Sequence, residues 1–144
     1  MLGSRVVGAI LKSLKDRRQV WFTDEGVIIV KLPRLYSRLK VVDLGRVVSP
    51  ERVEKIYDFV SSCLDEIDKR KEAEFASSEI ASIEMAEPKT PVFGRNKPGI
   101  LRFRLKDGRV YEVHIEETCK GGCFRELLGL VEQLYPGKVG VFKQ

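Results

Sequence analysis

The sequence carries few of the side chains that do chemistry. Its 144 residues include one histidine, three cysteines, one tryptophan and two methionines. With a single histidine, a structural zinc site is hard to assemble, because the CxxC pair and its second half are both missing. No Walker loop, GxSxG elbow or HExxH helix occurs. No apolar run approaches the ~20 residues of a membrane-crossing helix. The short Gly8–Leu11 run is interrupted by Lys12 and Lys15, so it does not form a secretory h-region. These absences set the expectation of a soluble, cytoplasmic, non-catalytic protein with no metal and no cofactor. The lone His114 is expected on the water-facing side of a strand that also bears Glu112 and Glu116, with Arg102 and Arg104 beside it, and no partner residue there makes it a catalyst.

Charge, in contrast, is plentiful. There are 26 Lys/Arg against 21 Asp/Glu, a net of +5. It is unevenly placed: residues 1–48 carry +6, residues 49–88 carry −6 and residues 89–144 carry +5. Such a balance permits an acidic partner, and dense mixed charge is compatible with an archaeal or thermophilic source. The length suits one domain over residues 1–144 with a substantial core.

The chain is organised around Gly99–Tyr135. Leu101, Phe103 and Leu105 alternate with Arg102, Arg104 and Lys106; Tyr111, Val113 and Ile115 alternate with Glu112, His114 and Glu116. Period-two alternation puts one face on a core and the other in water. A two-residue Asp107-Gly108 turn would mix the faces. A three-residue loop Lys106-Asp107-Gly108, with Gly108 left-handed, pairs Phe103 with Tyr111, Leu101 with Val113 and Arg102 with Glu112. Phe124, Leu127, Leu128, Val131 and Leu134 then recur at helical spacing, and Pro136-Gly137 stops the helix.

Upstream, Val6–Leu14, Gln19–Thr23 and Val27–Val30 read as three strands of an antiparallel meander. Three-residue turns, the second being Asp24-Glu25-Gly26, would set Leu11 opposite Trp21 and Trp21 opposite Ile29. Residues 31–48 mix Leu and Val with Arg and Lys around Pro33, and either a half-buried connection or an interaction surface fits them. Ser49-Pro50-Glu51 is a well-formed helix start. Val53, Ile56, Tyr57, Val60, Cys63, Leu64 and Ile67 share one face of that helix, which is expected to continue or fray through Lys69–Phe75. Its acidic residues, Glu54, Asp58, Asp65, Glu66 and Asp68, read as a solvated face. Glu79–Ala86 reads as a strand with Ala81, Ile83 and Met85 on one side. Pro88–Pro98 is a loop with three prolines in which Phe93, amid Lys89, Arg95 and Lys97, is expected to pack back on its own sheet. Lys138–Phe142 is a further short strand or a loose tail.

Three stretches carry a family resemblance. VWFTDEGVIIVK, SSEIASIEM, and GILRFRLKDGRVYEVHI followed by FRELLGLVEQL together resemble the early hairpin, a middle strand, and the last hairpin and helix of the pleckstrin-homology-like (PH/GRAM-type) family, especially its small prokaryotic members. The resemblance implies an α+β fold: a bent antiparallel sheet or partly open barrel capped by a C-terminal helix, with an inserted helix near 50–70, the insertion spanning about 49–75. It also implies a module that binds proteins, peptides or phosphoinositides rather than an enzyme. The Arg-x-Arg order of the phosphoinositide readers is absent from the first hairpin, where Lys12, Lys15, Arg17 and Arg18 stand.

Three candidate sites follow. The first is a basic anion-binding surface, for nucleic acid or acidic lipid, built from Arg102, Arg104, Lys106, Lys15, Arg17 and Arg18. The second is an interaction segment at Leu35, Tyr36, Arg38 and Leu39. The third is the Cys119/Cys123 pair, either two free thiols or a disulfide across Lys120-Gly121-Gly122. The leading expectation of function is protein–protein interaction, self-association included.

Overall fold

In the computed structural model, which describes residues 6–10, 18–31, 41–43, 69–89, 92–115 and 123–144, the central hairpin pairs as its alternation requires. Strands β7 (Gly99–Leu105) and β8 (Val110–Ile115) run antiparallel with Leu101 opposite Val113, Phe103 opposite Tyr111 and Arg102 opposite Glu112. The turn is the three-residue one. Gly108 takes φ 92° and donates its N–H to the Leu105 carbonyl at 3.0 Å, while Leu105 N–H reaches the Arg109 carbonyl at 2.9 Å. The Asp107 carboxylate accepts the Arg109 N–H at 3.0 Å, which secures the turn.

Helix α1 (Cys123–Leu134) lays Phe124, Leu127, Leu130 and Val131 on the core, with Tyr135 just past its end. The stripe is turned toward Leu130; Leu128 and Leu134 are only partly buried at its margins. Beyond Gly137, at φ 78°, the chain forms a strand rather than a tail: β9 (Val139–Phe142) runs parallel to β6 (Ile80–Ala86). Lys138 ties the two, its ammonium donating to the Ile80 carbonyl at 3.0 Å and its carbonyl accepting the Ile83 N–H at 2.9 Å. This sheet has the order β8-β7-β6-β9.

The strands of the second sheet are β1 (Val6–Ile10), β2 (Arg18–Thr23), β3 (Gly26–Lys31), β4 (Val41–Asp43) and β5 (Lys71–Ala76). They lie in the order β4-β1-β2-β3-β5, antiparallel throughout. Val20, Phe22, Val27, Ile29, Ala73 and Phe75 share one core with the first sheet and α1. Phe75 and Phe103 meet at 5.2 Å, Phe22 and Phe103 at 6.3 Å, and Phe75 stacks on Tyr111 at 5.4 Å. A single 3-10 turn, Ser77–Glu79, carries the chain from β5 in one sheet to β6 in the other. It is tied to a turn of each sheet: Ser77 N–H donates to the Glu25 carbonyl at 2.9 Å and Lys106 N–H to the Glu79 carbonyl at 2.8 Å.

The architecture is α+β, with two mostly antiparallel sheets and the C-terminal helix α1; they do not close into a barrel. Several local expectations need correction. Lys69 and Arg70 are helical, but from Lys71 the chain is strand β5, because Ala73 and Phe75 alternate with the outward Glu72 and Glu74. The β2–β3 turn has two residues, Asp24 and Glu25, so Trp21 lies opposite Ile28 and not Ile29. Thr23 Oγ1 organises it, accepting the N–H groups of Glu25 at 3.2 Å and Gly26 at 3.0 Å and donating to the Gly26 carbonyl at 3.0 Å. Trp21 pairs with Ala9 on its other side, and Leu11 lies outside the described residues. Ala81 is exposed: a bulge between Ile80 and Ser82 gives the core position to Ile80. Phe93 does not pack back on the sheet; it is 90% exposed. The 49–68 helix, Lys15, Arg17, Leu35, Tyr36, Arg38, Leu39, Cys63 and Cys119 lie outside the described residues, and Cys123 is described only as the first residue of α1.

Candidate functional site

Because the two sheets stay unclosed, their edge strands β5 and β8 face each other across a seam. Phe75 on Tyr111 bridges the seam at one point. Away from that stack it opens into a cleft of about 320 Å³ lined by Arg18, Ile29, Glu72, Ala73, Val110, Tyr111 and Glu112. Ile29 and Ala73 form an apolar floor and the Tyr111 ring a wall. Glu72 is the extra residue of a β5 bulge, since Val30 pairs with Lys71 and Ile29 with Ala73. That bulge swings its carboxylate to the rim, where it accepts from Arg18 Nε at 2.7 Å. Val110, 47% exposed, stands at the mouth. Among the described residues no strand pairs with the outer edge of β5 or of β8.

The outer face of the β6–β9 sheet holds Arg102 and Arg104 of the expected anion-binding surface, and both are partnered. Arg102 donates to Glu112 through Nε at 3.0 Å and Nη2 at 2.7 Å, and to Glu84 through Nη1 at 3.3 Å. Arg104 donates to the other Glu84 oxygen. The Arg102 guanidinium also lies 5.2 Å over the Phe142 ring. The result is a row of alternating sign across β6, β7 and β8, in which two cations meet two carboxylates. Lys106 is exposed at the turn, and Arg18 belongs to the seam instead.

The hydrogen bond from Arg104, helped by the charges of Arg104 and Arg102 and opposed by desolvation, holds the Glu84 carboxyl below its ordinary 4.5. A carboxyl with a depressed folded-state value contributes stability above its unfolded value and loses it as pH falls through the folded one. Glu84→Gln is therefore expected to flatten the decline of the denaturation midpoint below pH 4.5 while leaving its neutral-pH slope unchanged. The effect is small, because the row faces water.

The β6–β7 connection is a second feature. Lys89 and Lys97 exchange both backbone hydrogen bonds at 2.9 Å, making a neck. Gln144 braces it from outside. Its side-chain amide donates to the Glu87 carbonyl at 3.1 Å and the Pro98 carbonyl at 2.8 Å, and its backbone oxygen accepts from the Lys89 ammonium. Gly99 fits beneath Pro88 with no room for a side chain. At the tip, Val92 is 92% and Phe93 90% exposed, ahead of Gly94 at φ 107°. In the sequence, only the placement of Lys89, Arg95 and Lys97 around an apolar pair hinted at this tip.

No group of three or more His, Cys, Asp or Glu side chains among the described residues could hold a metal ion. No helix among them is long and apolar enough to cross a membrane. His114, half-buried opposite Ile100, stands in the outward row of β8 beyond Glu112. Comparison of the chain with protein-family models, with curated proteins and with solved structures finds no match.

Proposed function

We propose that this chain is a binding module, not an enzyme, and that the seam between β5 and β8 receives an extended segment of a protein partner. One observation carries the reading: two edge strands whose outer sides pair with no described strand face each other over an apolar floor. An added strand pairs with the backbone of such an edge, and its alternate side chains enter whatever pocket lies beside the edge. A volume of about 320 Å³ is at the small end of ligand sites and suits one or two apolar side chains. The Arg18–Glu72 pair at the rim offers polar anchoring to the same segment. The resemblance to the pleckstrin-homology-like family supports a binding role on architecture alone. A second copy of the chain offering its own edge is the self-associating form of the same idea.

Selection from a displayed library of random peptides tests it. Selected peptides are expected to share an apolar anchor and to shift the amide resonances of residues 71–74 and 110–113. Val110→Arg, at a half-exposed position, is expected to weaken them about tenfold or more without moving the melting temperature. Peptides that bind but perturb other strands overturn the seam assignment. A protein that selects no peptide and stays monomeric at every concentration overturns the module itself.

A further inference from the structure

The β6–β7 loop exposes an apolar tip on a braced neck, and that combination asks what the tip meets. Loop aromatics ordinarily fold back and bury their area; leaving Val92 and Phe93 in water forgoes it. The neck is held by two backbone hydrogen bonds, two from the Gln144 amide and the Lys89 ammonium, so presenting the tip costs little ordering when something binds. Residues 88–98 contain Lys89, Arg95 and Lys97 and no acid. Arg95 and Lys97 make no ion pair with any described residue, unlike the arginines of the neighbouring sheet face.

We infer that this loop seats the protein on an anionic phospholipid bilayer, with Val92 and Phe93 entering the boundary between headgroups and acyl chains while Arg95 and Lys97 lie on lipid phosphates. The charge complementarity selects the surface: an apolar point ringed by uncompensated cations matches a negative interface over an apolar interior. A single-stranded nucleic acid instead asks for a groove with successive stacking platforms, and here one aromatic stands beside a valine on a projecting point. The site shares no residue with the first hairpin, where the family resemblance would put an inositol phosphate, or with the seam between β5 and β8.

Flotation with vesicles tests the assignment, using phosphatidylcholine alone and phosphatidylcholine with about 30% phosphatidylserine. The intact chain is expected to float with the anionic vesicles only, weakly and reversibly. Phe93→Ser and, separately, the Arg95→Glu, Lys97→Glu double variant are each expected to reduce flotation about tenfold at an unchanged melting temperature, since all three side chains are exposed. Phe93→Trp is expected to shift its emission to the blue on anionic vesicles, over the constant background of the buried Trp21. Three results overturn the inference. They are no flotation at any composition, flotation indifferent to Phe93→Ser, and Phe93→Trp emission that responds to an oligonucleotide or to the selected seam peptides but not to vesicles. A failed peptide selection leaves it standing, because the two tests read different residues.

Discussion

Phe103→Ala is expected to lower stability by about 3–5 kcal/mol, the range for a large aromatic cut from a core that cannot collapse around the gap. Phe103 is fully buried and is a point where the two sheets touch: Phe75 meets it edge-on at 5.2 Å, Phe22 lies at 6.3 Å, and Tyr111 lies opposite it on β8. Those neighbours belong to strands held by their own ladders, so none can move in to fill the space. Against a typical total of about 5–15 kcal/mol, such a loss is a third or more of what keeps a domain folded. Urea denaturation checks it: the midpoint falls while the slope stays the same. Phe93→Ala removes the same ring from the exposed loop tip and is expected to change the stability by less than about 0.5 kcal/mol. Equal losses at the two positions would show that the described core is not the one that holds the chain together.

Gly99→Ala is the second large effect, and its sign is informative. Replacing glycine by alanine where the backbone permits stabilises by about 0.4–1 kcal/mol, through the unfolded chain. At Gly99 the added carbon would lie 2.6 Å from the Ala86 carbonyl oxygen and 2.8 Å from Pro88 Cδ. Both obstacles are backbone or ring and cannot rotate away. The end of the β6–β7 ladder, where Ala86 pairs with Ile100, must open instead. A destabilisation of about 1–3 kcal/mol is expected, the usual range for overpacking. Gly140→Ala, in β9 with nothing within 4 Å of the new carbon, is expected to stabilise slightly. Hydrogen exchange separates the causes: in Gly99→Ala protection is lost first at Lys89, Lys97 and Ile100, which share the loop neck.

What could be read in advance depended on whether a strand has a wet face. Across Leu101–Lys106 and again across Tyr111–Ile115 polar and apolar residues alternate, so only one register keeps the charges in water, and that register is the one found. In β2 and β3 the argument has no purchase. Trp21, Ile28 and Val30 are as buried as Val20, Phe22 and Ile29, so a one-residue slip exposes nothing and parity cannot choose. The choice is made by Thr23 folding over the Asp24-Glu25 turn. Strand β5 was legible in the alternation of Glu72, Ala73, Glu74 and Phe75, but the helical stripe running up to Ile67 masked it. Neither candidate site could be read from local pattern. The seam depends on two sheets failing to meet, and the loop tip is propped up by Gln144 from far along the chain. The pairing of Arg102 with Glu112 was visible in the hairpin; the part played by Glu84, from β6, was not.

The parallel docking of β9 has a consequence for how the protein is made. During translation β6 emerges with a neighbour on only one side available, and the hairpin that follows supplies it. Its other edge, Ile83–Ala86, waits until the ribosome has delivered the helix and then residues 139–142. Through that interval the nascent chain carries an uncovered row of backbone donors and acceptors beside the apolar Ile83 and Met85, a template for joining another unfinished copy. Slowing synthesis after Ile115 is therefore expected to lower the yield of folded protein more than slowing it before Ile80.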